Sequence, residues 1–263
     1  MRKRYLLTLV KADSSYGWNK TKGSLLRMTG RPLIIAFLVG LLLLCFPQLP
    51  VQVQELGART QLDWEQIGDE TVATLSKYLR INTTNPPGNE IEAAEFLGRI
   101  FDREGIRYQI FQSQPGRANI YARLSGDGSK RPIILLNHMD VVRADLSNWE
   151  LPPFSGAIRD GYIWGRGTLD MKGMGIVELM SLLALKRQQI PLKRDVIFLA
   201  TADEEKGGKL GAEWFMQNHW DLIKDAEYLL NEFGWIFVED DRVKYYAVDV
   251  AEKLLGDVRA ERA

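Results

Sequence analysis

The sequence predicts an α/β domain: a central, mostly parallel sheet with helices on both faces. Three observations carry this. Short, largely apolar runs of strand length, Ile133–Leu136, Val196–Ala202 and Tyr228–Leu230, each lead into polar residues. Runs of this kind read as strands buried on both faces, as parallel strands are. Among them lie longer segments with apolar residues at helical spacing, and strands alternating with helices define this class. With 263 residues, 46% of them apolar, the chain has ample material for a core.

Taken in order, residues 1–31 are basic, with eight Lys/Arg against the single acid Asp13. No charge occurs from Pro32 to Gln54, and Leu33–Phe46 is unbroken apolar. Fourteen apolar residues match the core of a signal peptide, whereas the 23 uncharged residues are long enough to cross a bilayer. No small-x-small cleavage site follows Phe46, and Leu44 does not suit a lipoprotein site at Cys45. The expectation is a cytoplasmic tail (1–31) and a signal anchor (32–54). The basic flank then puts the body outside: periplasmic, extracellular or lumenal. Secretion after signal cleavage is the alternative. The rest of the chain holds 26 Lys/Arg against 33 Asp/Glu, and a net-acidic body argues against a nucleic-acid partner. One cysteine excludes an intrachain disulfide and a Cys-rich zinc site.

Residues 55–63 read as a polar linker. Trp64 to Arg80 places Trp64, Ile67, Val72, Leu75 and Tyr78/Leu79 on one helical face, and Ala93, Phe96, Leu97 and Ile100 do so in a helix over 90–104. The prolines and glycine of 83–90 make a rigid loop between them. Alternation predicts strands at Tyr108–Gln112 and Asn119–Leu124, and more weakly at Val243–Val250. Met171–Gln188 reads as a long helix whose Gly173 and Gly175 allow close packing on the sheet. Gly211–His219 reads as a shorter helix.

The three apolar strands end in metal-type ligands: His138 and Asp140 after the first, Asp203-Glu204-Glu205 after the second, Glu232 after the third. Asp170 stands before a helix. Parallel strands would crowd these groups at one sheet edge, where ligands bind in open α/β sheets. Nearby carboxylates repel unless some protonate or a divalent cation sits among them. Singly, each has a plainer reading. Asp170 could be only a helix cap, Glu204-Glu205 a solvated turn, His138 a core histidine, Arg166 an ion-pair partner, Asp203 structural and His219 a packing residue. The conjunction favours a metal centre. H-E-x-x-H, G-K-[ST] and G-x-S-x-G motifs are absent from the sequence, and G-R-G at 165–167 does not extend to a dinucleotide loop.

The segments N-P-P-G-N-E (85–90), H-M-D-V-V (138–142), W-E-L-P-P-F-S-G (149–156), D-G-Y-I-W-G-R-G-T-L-D-M-K-G (160–173), D-E-E-K-G-G (203–208) and L-N-E (230–232) resemble one family. It is the dizinc exopeptidase and amidohydrolase family of aminoacylase, carboxypeptidase S, glutamate carboxypeptidase and succinyl-diaminopimelate desuccinylase. The details look most like the aminoacylase/carboxypeptidase S branch. The resemblance implies a zinc-exopeptidase-like sheet and two zinc ions per complete site, with cobalt or manganese possible. It implies a small peptide or N-acyl amino acid as substrate. By position it makes His138, Asp170, Glu205 and Glu232 metal ligands, with Asp170 bridging and followed by a cis peptide to Met171. Asp140 would orient His138, and Glu204 would be the base that takes a proton from the metal-bridging water.

Members of this family continue past a segment like Ala251-Glu252-Lys253 into a lid and dimerisation domain, and then supply a last metal-binding histidine. Here residues 254–263 depart from that pattern and no histidine follows His219. On this reading 55–263 is a partial, incomplete catalytic domain. Its second metal keeps only Asp170 and Glu205, apolar faces are left uncovered, and a homodimer needs the missing lid. Asn137 stands where a small residue is usual and Arg143 where proline is common. Two readings stay open: a fragment of a longer metal-dependent hydrolase, or an inactive membrane-anchored domain that binds at most one metal.

Overall fold

The computed structural model describes residues 62–232, 235–240 and 242–247. The basic tail, the apolar stretch 32–54, most of the linker and residues 251–263 lie outside the described residues. Among those described, no helix is long and apolar enough to cross a membrane.

Helix α1 (Trp64–Leu79) begins at Asp63, whose carboxylate accepts the Glu65 and Gln66 N–H groups at 3.1 Å. That satisfies donors a helix start otherwise leaves open. Helix α2 (Glu90–Glu104) ends at Gly105 in the left-handed region. Strands β1 (Tyr108–Gln114) and β2 (Arg117–Leu124) form a hairpin, followed by β3 (Ile133–His138). A second small hairpin, β4 (Ala157–Arg159) with β5 (Tyr162–Trp164), precedes helix α3 (Lys172–Arg187). Strand β6 (Val196–Thr201), helix α4 (Ala212–His219) and strand β7 (Tyr228–Leu230) complete the main sheet. A separate hairpin follows, β8 (Trp235–Glu239) with β9 (Arg242–Ala247), and its described large apolar side chains are exposed.

The main sheet runs β1-β2-β6-β3-β7. β3 is parallel to both β6 and β7, but β1/β2 and β2/β6 are antiparallel. The sheet is therefore mixed, not mostly parallel. The reason is local: Pro115 and Gly116 join β1 to β2, and only antiparallel strands can be joined so tightly. β7 also departs from expectation. It is an edge strand with all three side chains about half exposed, not a buried one.

Alternation along the central strands splits the core in two. Ile120, Phe198 and Ala200 face the layer built by α1, α2 and α3, with Leu79, Leu97, Phe101 and Leu179. Tyr121, Ile197 and Leu199 face the other way, against Phe215 of α4 and Ile223. Helices thus cover both faces. All six residues of β6 are buried, as a central strand requires. Gly175 of α3 approaches Asn137 of β3: a Cβ there would lie 2.8 Å from its Oδ1. Gly173 serves the preceding loop instead, since its Cβ would lie 2.1 Å from the Thr168 carbonyl.

Candidate metal centre

The parallel arrangement of β6, β3 and β7 brings their C-terminal ends to one edge of the sheet. His138 is the last residue of β3 and pairs with Thr201, the last of β6. Glu204 and Glu205 follow β6 by one short turn, and Glu232 follows β7 by two residues. Asp170 arrives from the loop before α3. It does not cap that helix: Met171 holds the cap position, and Asp170-Met171 is a cis peptide bond.

His138 is the centre of the group, with a side chain 1% exposed. Its Nε2 lies 3.1 Å from Asp170 Oδ1, 3.5 Å from Glu232 Oε1 and 3.6 Å from Glu204 Oε2. Its Nδ1 faces the Asp140 backbone oxygen at 3.0 Å and the Asp140 carboxylate at 3.5 Å. Two sets of ligand atoms fall within 4.8 Å of one another: His138–Asp170–Glu205 and His138–Glu204–Glu232. All six residues picked out from the sequence are therefore brought together.

Burial disfavours a charged His138, yet Asp140 and Glu232 outweigh it and push its pKa up to about 11. Carboxylates on both sides of the ring thus favour positive charge there. Burial, reinforced by neighbouring carboxylates and partly offset by His138, raises both Glu204 and Glu205. These features fit a divalent cation. Donors held at zinc bond lengths of about 2.0–2.2 Å in a tetrahedron stand about 3.4 Å apart, close to the separations around Nε2. A cation would remove the repulsion that otherwise asks for protons.

Asp140 does more than face the imidazole. Its carboxylate accepts Asn85 Nδ2 at 2.8 Å, the Glu204 N–H at 3.1 Å and the Glu205 N–H at 3.2 Å. Burial works against ionisation, but His138 and these donors hold Asp140 below the usual carboxylate range. The Val142 N–H, just past β3, holds Glu205 Oε1 at 3.2 Å. Asn85 also donates to Asp203 at 3.0 Å, and Asp203 takes Arg117 Nη2 at 3.1 Å. Arg117 grips Glu90 through two bonds of 2.6 and 2.8 Å. Asp203, with φ of +67°, is the structural residue it was expected to be. Asn85 and Arg117 went unassigned in the sequence, although N-P-P-G around Asn85 marked a rigid loop. Lys172 was also missed; it is fully buried, donates to the Ile81 carbonyl at 2.7 Å, and burial pushes it down to about 7.

Two expectations for single residues part ways. His219 packs against Phe111, Trp214 and Phe215, as read. Arg166 makes no ion pair among the described residues; its guanidinium lies over the Trp149 ring, 5.4 Å from the centroid.

The fold and this cluster define a class: an open α/β domain carrying a histidine-and-carboxylate metal-type centre at the C-terminal edge of its parallel strands. Residues 134–255 match the model for Peptidase family M20/M25/M40, so this stretch is similar to the domains of that family. The chain is 39% identical over 172 residues to a probable succinyl-diaminopimelate desuccinylase of Staphylococcus aureus (strain Mu50 / ATCC 700699), covering 65% of this chain and 40% of that protein. It is 34% identical over 211 residues to the N-fatty-acyl-amino acid synthase/hydrolase PM20D1 of Xenopus tropicalis, covering 71% and 40%. Among solved structures, an M20 family metallo-carboxypeptidase, Sso-CP2 of Sulfolobus solfataricus, matches with a TM-score of 0.54 and 25% identity over 62% of this chain and 37% of its own. Human carnosine dipeptidase 1 shares the fold, with a TM-score of 0.55 and 24% identity over 66% and 41%. The chain thus spans about 40% of the length of the curated relatives it matches.

Proposed function

We propose that this chain serves metal-dependent hydrolysis of an amide or peptide bond, in the manner of a carboxypeptidase or N-acyl-amino-acid amidohydrolase. The observation that carries the reading is the convergence of Asp170, Glu204 and Glu232 within 3.1–3.6 Å of one buried imidazole nitrogen. The names of the relatives, a desuccinylase, an N-fatty-acyl-amino acid hydrolase and a metallo-carboxypeptidase, point the same way.

His138, Asp170, Glu205 and Glu232 would hold the metal, of which zinc suits an imidazole-and-carboxylate set and cobalt or manganese are substitutes. Bound cations would polarise the scissile carbonyl and acidify water. Glu204, half exposed and with a raised pKa, would take a proton from the attacking water. As the water oxygen bonds to the carbonyl carbon and the C–N bond breaks, Glu204 passes that proton to the leaving amine. Asp140 fixes the Nδ1 side of His138 and the backbone of both glutamates, which keeps base and ligand apart. From the sequence alone, we infer that residues 32–54 anchor this domain to a membrane with its body outside.

Glu204→Gln tests the assignment. Hydrolysis of N-acyl amino acids should fall by at least about a hundredfold, the scale of general acid–base catalysis, with zinc content unchanged. A matching loss of zinc would mean that Glu204 is a ligand.

A further inference from the structure

Lys172 opens α3 just after Asp170 and Met171, and its side chain is fully buried. Its Nζ donates to the Ile81 carbonyl at 2.7 Å and lies 4.9 Å from the centre of the Tyr78 ring. Among the described residues it forms no ion pair. We propose that Lys172 is a positioning residue for the metal centre: its buried amine ties the loop that carries Asp170 to the segment that carries His138. The inference rests on the metal-centre reading and adds what sets the aim of Asp170.

Asp170 is weakly held by its own side chain. The carboxylate is 60% exposed, and its one hydrogen-bond partner among the described residues is His138 Nε2 at 3.1 Å. A carboxylate so placed takes its direction from the backbone beneath it.

Two segments have to be brought together. The first is the loop over residues 165–171. It closes on the start of α3 through the Gly173 N–H, which donates to the Gly167 carbonyl at 3.3 Å. Gly167 also lies against the Lys172 stem: a Cβ there would stand 3.4 Å from Lys172 Cδ and 2.8 Å from Val141 Cγ1. The second segment is 81–85, which leaves α1 and runs beside 139–141. Thr83 Oγ1 donates to the Met139 carbonyl at 2.6 Å, and the Val141 N–H donates to the Thr83 carbonyl at 3.1 Å. The Asn85 N–H returns to the Val141 carbonyl at 2.9 Å, with Thr84 and Val141 in a parallel bridge. This ladder begins one residue past His138 and takes in Asp140. Lys172 joins the Asp170 loop to it at Ile81.

The choice of side chain supports the assignment. Packing alone would be served by a methionine of similar length. A buried amine without a carboxylate partner gives up hydration that no ion pair replaces. What it adds is direction, since it holds one chosen carbonyl at the end of a packed stem. An amine and an ammonium both donate, so the tie holds in either charge state.

The test compares Lys172→Met, Lys172→Gln and Leu179→Ala in the full chain. Zinc affinity is read by competition with a chromophoric chelator, and ligand geometry by the visible absorption of cobalt(II) bound alone. Lys172→Met should lose about 10–100-fold in zinc affinity, the scale for residues that orient a ligand, and its cobalt bands should shift. Lys172→Gln keeps an N–H donor on a shorter stem and should recover part of both. Leu179→Ala removes a fully buried side chain elsewhere on α3. It should lower Tm yet leave zinc affinity and the cobalt spectrum unchanged, which separates positioning from general loss of packing. Unchanged affinity and spectrum in Lys172→Met, or equal changes in Leu179→Ala, would overturn the proposal. So would a Lys172→Met chain that fails to fold where Leu179→Ala folds, because Lys172 would then be structural. A parent chain that binds neither zinc nor cobalt would remove the metal-centre reading itself, and the proposal with it.

Discussion

At the scale of single residues, the centre depends on a buried polar chain running Glu90–Arg117–Asp203–Asn85–Asp140–His138. Glu90 is fully buried, and burial raises its pKa even against the pull of Arg117. Removing one partner of such a pair strands a charge, at a cost of about 3–5 kcal/mol. Arg117→Met should lose stability on that scale in urea denaturation, and Arg117→Met with Glu90→Leu should recover much of it. A second buried acid gives a pH signature. Glu178 of α3 takes one bond from Asn137 Nδ2 at 2.9 Å and leaves Oε1 buried with no partner. Burial pushes its pKa from 4.5 up to about 8, against the smaller opposing effect of Asn137. The native state therefore holds a proton that the unfolded chain releases near 4.5. That contribution to stability is complete below pH 4.5 and is lost as pH rises to about 8. Glu178→Gln should be more stable than the parent at pH 8, and the difference should shrink toward pH 5 in thermal melts. An equal difference at both values would show that Glu178 does not titrate in this range. Asn137 read as a mere departure in the sequence, because a hydrogen bond to a residue 41 positions away leaves no local mark.

At the scale of elements, the strand ends were legible because the sequence switches from an apolar run to ligand types within one or two residues. Pairing directions were not, since periodicity reports which face a strand buries but not which neighbour it takes. Alternation does not mark the hairpin β4–β5 in the sequence, although Asp160-Gly161 stands at its turn. Both residues have positive φ, 55° and 83°, the pattern that two-residue hairpins favour. Strands of three residues are too short to show alternation. The loop before α2 gives a sharper test. Gly88 has φ of +82°, and a Cβ there would lie 2.3 Å from Arg117 Nε, whereas Gly116 at φ +80° has open space around it. Gly116→Ala should cost about 1–2 kcal/mol, the backbone penalty alone. Gly88→Ala should cost clearly more, because it also pushes Arg117 off Glu90. Equal losses in paired denaturation curves would show that the loop yields without disturbing the ion pair.

At the scale of the whole molecule, the sequence shows which groups a metal centre would use, and the sheet order explains why they meet. β3 lies between β6 and β7, so ligands far apart in sequence end on three adjacent strands. Among these ligands only Asp170 comes from outside the sheet, on the loop before α3. A centre assembled from separate elements couples metal binding to folding, because the unfolded chain cannot present those ligands together. Zinc at a hundred times its dissociation constant should add about 2.7 kcal/mol of stability. For a domain of this size that raises Tm by roughly 5–10 °C, and a chelator should reverse it. His138→Ala, which removes the nitrogen common to both ligand sets, should melt at the same temperature with and without zinc. A zinc-induced rise that survives in His138→Ala would place the stabilising ion elsewhere on the protein.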